Sequence, residues 1–104
     1  MLVNRRTFIV KKPYFEEAVT LLVEYRQLAQ LVDPNAVMRV YASEIGPFDT
    51  IACELEFASL GAFERALAEF RAHPTVAARL PDWFTRWQAI TEPGGMNEFW
   101  RLVE

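Results

Sequence analysis

The sequence predicts an α+β chain of the ferredoxin-like kind, a β-α-β-β-α-β two-layer sandwich with a four-stranded antiparallel sheet. Three observations predict it. β-branched and aromatic runs alternate with stretches of 3.6-residue apolar spacing in that order. The two middle runs are joined by a short breaker-rich link, which implies an antiparallel hairpin. The length of 104 residues, 52% of them hydrophobic, suits one packed domain spanning residues 1–104 and no disordered chain.

Arg5 to Lys11 reads as the first strand, with Arg6, Phe8 and Val10 on one side and Thr7 and Ile9 on the other. Pro13 suits the first turn of a helix, where a missing N–H is no loss. Phe15, Ala18, Val19, Leu22, Tyr25 and Ala29 then form an apolar stripe, and Asp33-Pro34-Asn35 ends the helix. Ala36 to Ile45 and Thr50 to Phe57 are the hairpin strands, joined by Gly46-Pro47-Phe48-Asp49. In the second of them Ile51, Cys53, Leu55 and Phe57 share one face, and Thr50, Ala52, Glu54 and Glu56 the other.

Ser59 is a plausible N-cap for a second helix with a stripe of Leu60, Phe63, Leu67 and Phe70, closed by His73-Pro74. Thr75 to Leu80 adds a short helical turn before Pro81, and Asp82 caps a further stretch in which Trp83, Trp87 and Ile90 share a face. Glu92-Pro93-Gly94-Gly95 reads as a turn and Asn97 to Val103 as the last strand.

Such a sandwich leaves one sheet face uncovered by its own chain. Here that face carries Val37, Tyr41 and Ala52 beside Arg39, Glu54 and Glu56, with Phe8 or Ile9 from the first strand. The mixture is too apolar for a comfortable solvent face and too charged for a dry core. Two copies packed face to face resolve the tension, so a homodimer is expected. A solvated face with scattered apolar residues is the plainer alternative.

Arg6-Thr7-Phe8 before a Lys-Pro turn, the hairpin running into Phe57-Ala58-Ser59-Leu60, and Gly94-Gly95-Met96-Asn97-Glu98-Phe99-Trp100-Arg101-Leu102 resemble NIPSNAP-type domains. The resemblance spans nearly the whole chain. It implies membership of the dimeric α/β-barrel superfamily, alongside antibiotic-biosynthesis monooxygenases, and a homodimer whose sheets face each other. It brings no agreed catalytic residues with it.

Candidate chemistry is sparse. His73, the one histidine, could act as an acid or base, though a helix C-cap explains it more simply. Arg39, Tyr41 and Glu54 could orient a carboxylate or carbonyl ligand, with Glu54 as base. The simpler reading is a cross-strand Arg39–Glu54 ion pair. Trp83, Phe84, Trp87, Phe99 and Trp100 could line a pocket for a flat ligand, Trp87 foremost, yet aromatics at this spacing are more often core. Cys53 on an apolar strand face reads as an inert thiol.

One Cys and one His offer no metal cluster, and Gly94-Gly95 precedes a strand and so cradles no phosphate. No metal or cofactor is expected. Eleven basic against fourteen acidic residues, a net charge of −3, argue against nucleic acid. No apolar run approaches the ~18 residues of a membrane span, and the N-terminal stretch is no signal peptide. With a lone cysteine, the expected location is cytoplasmic. Two functions remain open: a small-ligand-binding or assembly module holding an apolar to amphipathic molecule, or a cofactor-independent monooxygenase or isomerase acting on an aromatic or polyketide-like compound.

Overall fold

In the computed structural model, which describes residues 1–104, the elements follow the expected order, and the helical pieces expected before the last strand are one long helix. They are β1 (Leu2–Val10), α1 (Phe15–Val32), β2 (Val37–Ala42), β3 (Thr50–Phe57), α2 (Leu60–Ala72), α3 (Pro74–Ile90) and β4 (Thr91–Arg101). All strand pairs are antiparallel, in the order β2-β3-β1-β4. The three helices cover one face of the sheet, and the other is open.

Alternation sorts the strands as predicted. Val10, Met38, Ile51 and Cys53 are buried under the helices with Ala18, Leu21, Leu22, Trp83, Trp87 and Ile90. A second small core of Leu28, Phe70 and Val76 ties the three helices together. α1 buries Leu21 and Leu28, outside the predicted stripe, because α3 packs on its flank. The Trp83 indole donates to the Leu21 carbonyl oxygen at 2.7 Å across that contact. Leu60, expected in the α2 stripe, is exposed in the first turn of α2.

Several boundaries differ from the sequence reading, each for a local reason. Pro13 lies before α1, because the Tyr14 N–H bonds the Lys11 carbonyl and closes a turn first. β2 ends at Ala42, three residues short of Ile45, and the hairpin loop bears Gly46 and Asp49 at positive φ. Pro81 does not interrupt the chain: α3 runs through it, with the ring on the exposed side. The expected turn at Glu92–Gly95 is absorbed into β4 as a bulge. Ile9 faces Glu92 and Thr7 faces Met96, so Phe8 alone of β1 stands opposite Pro93, Gly94 and Gly95 of β4. β4 is an edge strand, where Pro93 lacks no ladder donor. Gly94 takes φ +109°, and a Cβ on Gly95 would stand 2.5 Å from the Thr7 carbonyl oxygen.

Candidate functional site

Between the helices and the sheet lie two adjoining compartments of about 520 and 350 Å³. The larger is framed by α1, α2 and the ends of β2 and β3, with Ala29, Val32, Leu55, Phe63 and Leu67 among its walls. The smaller is lined by Phe8, Leu22, Met38, Trp83, Phe84 and Trp87, together with Cys53, Met96 and Asn97. Arg6 and Tyr25 border both.

The polar groups at this junction form one chain of hydrogen bonds. Asn4 is fully buried, and its amide donates to Asn97 Oδ1 at 2.6 Å and to the Glu98 carbonyl at 3.0 Å. Asn4 Oδ1 accepts from Arg6 Nε at 3.0 Å. Asn4 is thereby satisfied, as a buried amide must be. Its oxygen fixes the Arg6 side chain. Its amide engages the Asn97 oxygen, and the Asn97 NH2 is left without a partner.

The sequence alone does not mark Arg6 and Asn97 as site residues. A signal was there, a charged side chain in the same strand row as Phe8 and Val10. Polar residues on a covered face are the informative exceptions to burial. Asn97 takes its place only through the bulge that precedes it.

Of the residues singled out, Trp87 lines the smaller compartment. It is also core, edge-on to Phe8 at 4.8 Å between ring centres and stacked on Trp83 at 5.2 Å. The five rings do not form one cluster. Phe99 packs on Phe63 of α2, whereas Trp100 lies on the open sheet face, because successive strand residues point to opposite sides.

His73 borders neither compartment. Its backbone N–H caps α2 on the Glu69 and Phe70 carbonyls. The ring does not reach back to those carbonyls: Nδ1 accepts from the Thr75 N–H at 3.3 Å and caps α3, which begins at the very next residue. Cys53 is buried, and that burial pushes its thiol up to about 11. It is a protonated wall residue at neutral pH.

Arg39, Tyr41 and Glu54 do come together, but on the open face. Tyr41 donates to Glu54 at 3.0 Å, while Arg5 grips the same carboxylate at 2.6 to 2.7 Å. The Arg39–Glu54 pair expected from the register is absent, although the two stand directly opposite each other. Glu54 sits between two arginines on a central strand, and Arg5 from β1 takes it. Arg39 turns diagonally to Glu56. The hydrogen bond from Arg5 outweighs burial and, with a lesser one from Tyr41, holds the Glu54 carboxyl below the usual carboxylate range. Burial, then the bond to Glu54, raises the Tyr41 hydroxyl.

The fold and its helix–sheet cleft define a class: ferredoxin-like α+β domains with the architecture of NIPSNAP domains. The Agrobacterium tumefaciens protein Atu4242, a NIPSNAP family protein of unknown function, superposes with a TM-score of 0.77 at 20% identity, over 97% of this chain and 92% of its own. An uncharacterised NIPSNAP domain protein from Burkholderia xenovorans gives 0.77 at 14% identity, over 99% and 95%. SnoaB, a cofactor-independent oxygenase from Streptomyces nogalater, gives 0.69 at 15% identity, over 99% and 93%. No protein-family model and no curated protein matches the sequence. No helix is long and apolar enough to cross a membrane.

Proposed function

We propose that this protein is a homodimer that holds a small apolar to amphipathic molecule in the cleft between its helices and its sheet. The cleft itself is the observation that carries the reading. Its compartments fall in the roughly 300–1,000 Å³ range of small-molecule sites, with mostly apolar walls and a few convergent polar groups. Trp87 is assigned to its wall. Arg39, Tyr41 and Glu54 are assigned to the dimer interface, where their ion pairs neutralise a face that also bears Val37 and Trp100.

Native mass spectrometry of protein purified gently from cell extract tests this. A retained small molecule is expected on the wild type. It should be lost in Ala66→Trp, which fills the larger compartment from α2, while light scattering still reports the wild-type assembly. A wild type that carries no adduct and is stabilised by no member of a small-molecule library removes the binding reading.

One observation favours a second reading, the likeness to the cofactor-independent oxygenase SnoaB. In this reading the cleft screens an aromatic or polyketide-like substrate from water while the protein's own groups position it. Oxygen uptake in the presence of such compounds is the assay. His73→Ala and Glu54→Gln test the two acid–base candidates by turnover. Unchanged rates in both move the chemistry to the groups that line the cleft.

A further inference from the structure

Arg5, Arg39, Arg79 and Arg86 each meet a carboxylate. Arg6 meets none within 4.0 Å, although it borders both compartments of the cleft. The acidic side chains lining the larger compartment are Glu56, engaged by Arg39, Asp33, which accepts from the Asn35 N–H, and Glu69 on α2, and none of them pairs with Arg6. In the smaller compartment Arg6 is the sole charged residue, with Asn97 and the amphipathic Tyr25 as its polar neighbours.

What these two offer is all of one kind. Arg6 has its Nε committed to Asn4 and its remaining guanidinium N–H groups unpartnered, and a guanidinium accepts nothing. Asn97 has its oxygen committed to Asn4 and keeps its NH2. A wall whose one charge is cationic, with a free amide NH2 beside it, rejects cations and selects an oxyanion, which planar guanidinium N–H groups bind in pairs. The remaining walls are Phe8, Trp83, Phe84 and Trp87 with aliphatic neighbours, surfaces suited to a flat apolar body.

Taking the helix–sheet cleft as the binding site, as above, we infer that its ligand is an aromatic acid, whose anionic head is bound by Arg6 and Asn97 and whose ring system lies against Phe8 and Trp87. The buried Asn4 is a positioning residue, holding both donors toward the ligand.

Two dyes with the same rings separate the charge from the apolar body. 8-Anilinonaphthalene-1-sulfonate carries an anionic group, and N-phenyl-1-naphthylamine lacks it. Fluorescence titration should show both binding the wild type, the sulfonate at one site per chain. Arg6→Met should weaken the sulfonate by at least about tenfold, the scale of a charge-assisted hydrogen bond, and the neutral dye by less than about twofold. Arg6→Lys should recover part of the loss. Arg71→Met, on the outside of α2, should change neither dye.

Asn97→Asp supplies the second variant, because it sets a competing carboxylate beside Arg6 and leaves the side-chain volume unchanged. It should again weaken the sulfonate selectively. Sulfonate binding that survives both substitutions, or equal loss of both dyes in both, overturns the anion assignment and leaves the cleft reading standing. A wild type that binds neither dye overturns the cleft reading as well.

Discussion

Glu54 shows what a single side chain can report. Its folded carboxyl titrates below its unfolded value, chiefly through the bond from Arg5. The folded state therefore prefers the ionised form. Stability from this group is present above the unfolded pKa near about 4.3 and is lost as pH falls through the lower folded value. Urea unfolding between pH 6 and pH 3 should show the wild type losing stability more steeply than Glu54→Gln below about pH 4.5. Parallel curves would mean that the Arg5 bond does not persist in solution. The sequence placed Glu54, Arg39 and Tyr41 correctly on one face. It did not settle which arginine takes Glu54, since two cross-strand neighbours compete for one carboxylate and only the relative positions of three strands decide. Arg6 was hidden for a related reason. Period-two alternation puts it in the helix-facing row, but its role depends on Asn4 and Asn97, some ninety residues apart in the chain.

At the scale of elements, the bulge in β4 has the largest consequence for the cleft. Pro93-Gly94-Gly95 has the composition of a turn, and read alone it ends a strand. In the fold these residues stay in the edge strand because Gly95 lets its backbone pass close to Thr7. The added residues set the phase of Asn97, which reaches the cleft beside Arg6. Gly95→Ala should cost about 1–3 kcal/mol of unfolding free energy, the range for an overpacked site, and should weaken binding in the cleft even where the protein remains folded. A loss below about 0.5 kcal/mol, the usual range for a neutral surface change, would show that β4 shifts freely and that the bulge does not position Asn97. α3 carries a comparable lesson. Pro81 suggests a break, yet the helix continues, because Val76, Trp83, Trp87 and Ile90 bury one continuous face while the proline ring faces out. Packing outweighs local propensity there.

For the whole molecule, the open sheet face is the surface that its own helices leave uncovered. It presents Val37, Tyr41, Met96 and Trp100, each between 38% and 57% exposed, around the paired charges of Arg5–Glu54 and Arg39–Glu56. Ion pairs already formed within one chain lower the desolvation cost of covering such a face, since each charge has its partner before burial. Light scattering and sedimentation at micromolar concentration should find a dimer, and Trp100→Arg should shift it toward monomer by setting a like charge against its own copy. A wild-type monomer would mean that the face is solvated. Ligand binding in the helix–sheet cleft would be tested separately, since its walls belong to one chain.

By itself the sequence determined the element order, the side-chain faces of each strand and the presence of a sheet face that its own helices cannot cover. These are local properties, written in the two- and 3.6-residue periods of the apolar residues. The tertiary structure decided the strand neighbours, the partner of Glu54, the continuity of α3, the bulge in β4 and the meeting of Asn4, Arg6 and Asn97 at the cleft. Each of these depends on contacts between residues distant in the chain, which no local period encodes.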